Sequence, residues 1–157
     1  MPMDNGGSRR EGVNISVPVE RDDSSRRRRS LHDACLCAKA ADDYRGQNTV
    51  VLDLTGVTPI FDYFVLTTGS SPRQMRAITD EVDRVLRQAG SERLGVEGYE
   101  SSTWILQDYG DVVLHVFTPE TRSIYDLERL WADAPHVDWR TLHGQAQPES
   151  NPRRAAL

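Results

Sequence analysis

No stretch of this 157-residue chain approaches the ~20 consecutive apolar residues of a membrane-spanning helix. The arginines near its N-terminus have no apolar segment behind them, so a secretory signal is not expected. Cysteine is scarce as well, with only Cys35 and Cys37. On a helix these two project ~200° apart, which rules out a bond between them and predicts reduced thiols in a cytoplasmic protein. Hydrophobic residues make up 38%, below the share usual for a compact domain. The deficit lies at the ends, because residues 1–30 and 141–157 are rich in Arg, Ser, Gly, Pro and Gln. The apolar residues gather between Leu31 and about Trp139, and roughly 110 residues can still build one core.

Also missing are the spacings that chemistry needs. His32, His115, His136 and His143 are scattered, so no metal site is expected. There is no Gly-x-Ser-x-Gly elbow, no catalytic cysteine context and no phosphate-binding P-loop. Two weaker constellations remain. Gly69-Ser70-Ser71-Pro72 precedes a helix, where backbone N–H groups could cradle a phosphate, but Ser-Pro at a helix start needs no ligand. Asp108 and Asp111 flank a turn; such carboxylates can do acid–base work, but turns attract Asp for local hydrogen bonds. His115 lies in an apolar strand with no nucleophile beside it, which favours a core histidine with one hydrogen-bond partner.

Charge divides along the chain. Between Leu31 and Arg140 there are 18 Asp and Glu against 10 Lys and Arg. Such a body repels phosphate-rich nucleic acid and suits a basic protein partner. The first 30 residues carry 7 Arg against 5 acids, including the run Arg26-Arg27-Arg28-Arg29. Residues 1–29 read as a disordered tail, either a plain solvated leader or an RNA anchor that assists docking.

The body, 30–140, predicts alternating elements. A helix capped by Ser30 runs to Gly46, with Leu31, Ala34, Cys35, Ala38 and Ala41 on one face. Strands follow at 49–54 and 61–68. Ser71 caps a helix that opens on Pro72, uses Gln74 for a capping box and stops at Gly90. Its buried stripe is Met75, Ile78, Val82, Val85 and Leu86. A minor strand spans 94–98. Strands 103–109 and 112–117 form a hairpin over Gly110-Asp111, with Gly at the first turn position as in type II′. The second arm is apolar on both faces, as in a central strand. A last helix opens on Thr118-Pro119-Glu120, buries Ile124, Leu127, Leu130 and Trp131, and ends at Ala134-Pro135. Residues 141–157 read as a flexible tail. The order predicts an α/β domain with a mixed sheet and packed helices.

Trp104 is the most informative residue. On its strand, positions 104, 106 and 108 share one face and 105, 107 and 109 the other. A Trp beside a carboxylate is the composition of an interface hot spot, and spacing alone leaves a core Trp equally open. Tyr125 lies one position off the last helix's stripe and could reach the surface.

Three segments, in order, carry a family resemblance. They are Asp62-Tyr63-Phe64-Val65 with Thr68-Gly69-Ser70 and Arg73-Gln74; Glu97-Gly98, Trp104 and Asp108 through Phe117; and Tyr125 through Trp131. Together they resemble the Iojap-like ribosomal silencing factors over about residues 31–139. The resemblance implies a mixed, roughly five-stranded sheet flanked by helices, related in fold to nucleotidyltransferases. It implies binding to the large ribosomal subunit through a basic ribosomal protein (the fourteenth of the large-subunit series), which blocks subunit joining and represses translation. Homodimers, no cofactor and no catalysis are further implications. By position, the contact surface would involve Trp104, Asp108 and Tyr109. The alternative is a nucleotide-binding or nucleotidyltransferase-like enzyme using Gly69-Ser70 with Asp108 and Asp111. Those enzymes carry an Asp-x-Asp pair on a strand soon after the Gly-Ser turn. Here a helix follows that turn, and Val112-Val113-Leu114-His115 lacks the carboxylates. Gln107 stands where the family usually has an apolar residue, which predicts a wetter strand face.

Overall fold

The computed structural model describes residues 23–146. Its elements are α1 (Asp23–Asp43), β1 (Gln47–Asp53), β2 (Tyr63–Thr68), α2 (Pro72–Gln88), β3 (Gly95–Glu97), β4 (Trp104–Asp108), β5 (Val112–Phe117), α3 (Pro119–Tyr125), α4 (Leu127–Leu130) and α5 (Trp139–Ala146). One five-stranded sheet has the order β1-β2-β5-β4-β3. Only the central pair, β2 and β5, is parallel; the other three pairings are antiparallel. This is the mixed α/β sheet that the alternation predicts.

β2 and β5 are buried at all six positions, because each is flanked by strands and covered on both faces. On the inner face, Ala34, Cys37, Ala38 and Ala41 of α1 and Met75, Ile78, Val82 and Leu86 of α2 pack on Val51, Val65, Ile105, Leu114 and Val116. Small residues on α1 let that helix approach the sheet closely. Both thiols lie in this layer, and burial pushes the Cys35 and Cys37 thiols up, away from reactive thiolate.

α1 starts seven residues before the expected cap. Ser30 is a buried mid-helix residue whose hydroxyl donates to Asp62 Oδ2 at 2.9 Å. Arg26 explains the extension: its guanidinium spans Asp23 at 3.1 Å, Asp62 at 3.0 Å and Asp111 at 3.1 Å. The first turns of α1 are thereby tied to the hairpin tip, with Asp23 favourable in the first helical turn. The tail reading is therefore corrected for residues 23–29. Arg28 and Arg29 stand exposed on this helix, and Arg27 pairs with Asp23 at 3.3 Å. Residues 1–22 lie outside the described residues, as do 147–157 of the other expected tail.

The second correction is at the C-terminal side. The expected single helix after Thr118 breaks at Asp126, whose backbone is left-handed (φ 44°, ψ 56°). Asx residues tolerate that conformation better than others. The break rotates the expected stripe apart, so that Ile124 is 76% and Leu130 71% exposed. Leu127 and Trp131 still pack on Phe64, Leu66, Val113 and Phe117 as a thin cover over the outer face. The chain then runs beside β1: Asp53 N–H donates to Pro135 O at 2.8 Å and Val137 N–H to Val51 O at 2.9 Å. These bonds cover a sheet edge that would otherwise be open. α5 was unexpected over residues 141–146. It is held by the buried Trp139, whose indole donates to Thr49 O at 3.1 Å, and by Arg140 on Asp42 at 3.0 Å.

Candidate functional site

The hairpin sorts its side chains as period 2 requires: β4 alternates between half-buried and buried from Trp104 to Asp108. This alternation separates the three expected contact residues. Trp104 and Asp108 share the outer face, at opposite ends of the strand. Tyr109 turns to the inner face, 8% exposed. Its hydroxyl donates to Asp83 Oδ1 at 3.0 Å and accepts from Gln107 Nε2 at 2.8 Å. Burial, with Asp83 alongside, pushes the Tyr109 phenol well up. The expectation that Tyr109 flanks Trp104 on one surface is corrected: it is a core residue beneath α2.

Gln107 corrects a related expectation. It is fully buried, and the face is not wet. Its amide donates to Thr79 O at 3.0 Å and to Tyr109, and its carbonyl accepts from Arg93 at 3.2 Å. A buried amide with partners on both ends costs little. Tyr109→Phe is expected to lower stability by about 1–2 kcal/mol, or about 4–8 °C in Tm, which thermal melts of the two proteins check.

Asp108 accepts the Gly110 N–H on Oδ1 at 2.7 Å, which is the local turn bond expected of it. Gly110 takes φ +87° while Asp111 stays at negative φ, in keeping with a type II′ turn. Asp111 is held by Arg26. Near α2, Ser71 Oγ accepts from Gln74 N–H at 3.1 Å, and Gln74 Oε1 accepts both the Ser70 N–H and hydroxyl at 2.6 Å. The capping box closes on Ser70, one residue before the cap. The groups of the nucleotide reading are thus committed to local structure and are not brought together. Among the described residues no three His, Cys, Asp or Glu side chains converge as metal ligands.

Trp104 is half-buried, neither sealed inside nor free. Its indole N–H donates to His115 Nδ1 at 3.1 Å. Its ring lies 5.1 Å from Phe117 and 4.7 Å from Tyr125 between centroids. Tyr125 is 57% exposed, with Ile124 beside it. Sequence reasoning missed Ile124 and Leu130 as surface groups because the left-handed Asp126 gives no period to read. Gly98 supports this edge. Its φ is +76°, and a Cβ there would sit 2.0 Å from the Trp104 carbonyl oxygen.

His115 is the core histidine expected, 3% exposed with one hydrogen-bond partner. Burial pushes its pKa down to about 3, so it stays neutral in the fold. In the unfolded chain the imidazole protonates near its ordinary value of about 6.5. Protonation therefore favours unfolding. The histidine's contribution is intact above about pH 6.5 and falls by about 1.4 kcal/mol for each unit below it until about pH 3. Denaturant melts from pH 7 to 4 should show this slope, and it should flatten in His115→Phe.

No described helix is long and apolar enough to cross a membrane. The architecture is shared with solved proteins. A crystal structure of a Chromobacterium violaceum protein matches with TM-score 0.60 and 40% identity, covering 62% of this chain and 81% of that one. This defines an α/β module of one known kind, built on a five-stranded mixed sheet. A family model described as "Ribosomal silencing factor during starvation" matches residues 27–156. "Ribosomal silencing factor RsfS" of Halalkalibacterium halodurans is 42% identical over 103 residues, 66% of this chain and 88% of that protein. The protein of the same name from Bacillus subtilis is 40% identical over 103 residues, 66% and 87% of the two chains. The chain belongs to the ribosomal silencing factor family, as the three sequence segments implied.

Proposed function

We propose that this protein represses translation in the cytoplasm by docking on the large ribosomal subunit and blocking subunit joining, without catalysis or a cofactor. The contact is a basic ribosomal protein, the fourteenth of the large-subunit series. One observation carries this reading: half-buried Trp104 and exposed Tyr125 and Ile124 form an aromatic, apolar edge on a body with excess negative charge. Large aromatics anchored on a sheet are typical hot spots. Exposed Glu120, Asp126 and Asp133 lie on the same chain segment and would steer a cationic partner. Asp108, on Trp104's face, adds a polar contact. The names of the relatives support a ribosomal target.

The test is co-sedimentation with isolated large subunits, followed by addition of small subunits. Binding to large subunits with loss of subunit joining is expected; a chain that ignores large subunits ends the proposal. Homodimers are also expected from the family resemblance, and sedimentation velocity reads their presence directly.

A further inference from the structure

His115 is placed at a junction. Its ring lies 4.6 Å from Phe64, edge-on, and stacks with Phe117 at 5.9 Å and 8°. It also meets Trp104 at 5.9 Å, and Trp104 itself lies 5.1 Å from Phe117. Phe64 in turn touches Phe61 and Trp131. A cluster of rings thus crosses the outer face of the sheet, and His115 and Phe117 join its buried part to half-buried Trp104 and exposed Tyr125. The register explains the reach: Trp104 pairs with Phe117 and Leu106 with His115, so the indole meets the imidazole on the diagonal.

A phenylalanine at this position would leave no polar atom behind. Histidine leaves one. Nδ1 accepts the indole N–H, so the ring proton sits on Nε2, which is buried and without a hydrogen-bond partner. A buried orphan nitrogen in a native fold calls for a compensating role. The role on view is the acceptor that imidazole offers to Trp104 and a phenyl ring does not. What it adds is orientation.

We propose that His115 is a positioning residue for the docking edge: it takes up the Trp104 indole N–H, fixes the ring's tilt against Tyr125, and leaves only ring surface for the partner. This rests on the docking reading above. With its donor turned inward, Trp104 offers no hydrogen bond outward. Its ring packs against Phe117 at 5.1 Å and Tyr125 at 4.7 Å, and the 57% exposed Tyr125 carries most of the outward ring surface. Such an aromatic edge on an acidic body fits the guanidinium or ammonium of a basic protein.

The test uses the full chain. In the free protein, ¹⁵N spectra should show coupling between the Trp104 indole nitrogen and His115 Nδ1, with slow exchange of that indole proton. His115→Phe should lose both and weaken co-sedimentation with large subunits about tenfold. His115→Asn, which keeps an acceptor, should stay within about threefold of wild type. If His115→Phe does not fold, Trp104→Phe removes the N–H from the other side and should weaken binding to the same degree. Absence of the coupling in the folded wild type would overturn the proposal. So would wild-type affinity in a folded His115→Phe, or in Trp104→Phe, when Trp104→Ala weakens binding roughly 30-fold or more. Should Trp104→Ala itself bind normally while the coupling persists, the docking reading fails, and the partner role of His115 with it.

Discussion

Trp104→Ala is expected to weaken binding to large ribosomal subunits by about 2–4 kcal/mol, roughly 30- to 1,000-fold in affinity. The size follows from what the side chain does at once. It is the largest ring at the edge, it supports the exposed Tyr125 ring, and its N–H is already satisfied internally. Truncation removes the platform and lets Tyr125 fall inward or tumble. The fold should persist, because the outer layer keeps Leu52, Leu54, Phe64, Leu66, Val113 and Phe117. A half-buried aromatic gives up less than a core one, so stability should fall by about 1–3 kcal/mol. Co-sedimentation titrations beside thermal melts separate the two quantities. A variant that unfolds, or one that binds as before, removes Trp104 from the docking role.

Gly98→Ala should destabilise the domain by about 3–5 kcal/mol, which marks a backbone mechanism and not a lost contact. Two effects add. A left-handed backbone costs an ordinary residue about 1–2 kcal/mol. In addition, the new methyl would overlap the Trp104 carbonyl, 2.0 Å away, and a backbone oxygen in a sheet cannot step aside cheaply. The loop from Gly98 to Ser102, closed by Ser102 N–H on Gly98 O at 2.9 Å, would open where β4 begins. Tm should drop by about 10–20 °C. Gly90→Ala is the matched control. Its φ is +88° but nothing lies within 4 Å of the added carbon, so only the conformational cost of about 1–2 kcal/mol applies. Equal losses at the two sites would show that the overlap is relieved by a small shift.

The sheet was legible because its signals are local. β5 was readable as a central strand from six apolar or aromatic-type positions in a row, and α2 from Ser71, Pro72 and a clean stripe. The alternation along β4 placed Trp104 and Asp108 on one face correctly. What escaped reading depended on partners distant in sequence. Residues 23–29 become helical through Arg26 reaching Asp62 and Asp111. Gln107, polar where the family usually has an apolar residue, looked wet because two of its satisfying groups, Thr79 and Arg93, come from other segments. Tyr109 enters the contact surface only by position in the family resemblance, although the alternation puts it on the face opposite Trp104, where Asp83 receives its hydroxyl. The candidate edge itself was half legible: Trp104 and Tyr125 stood out, whereas the exposure of Ile124 and Leu130 waited on one left-handed residue.

The central pairing of β2 with β5 has a consequence for how the molecule comes into being. These two strands share six register positions, yet residues 69–111 must be laid down between them. Closing so large a loop is an entropic toll met before any reward, and such non-local pairing slows folding. A nascent chain that has emerged only through β4 lacks the strand that joins the two halves of the sheet. The candidate edge, built from β4, β5 and α3 together, therefore waits on β5 and α3, and a copy halted before them has no such surface to offer.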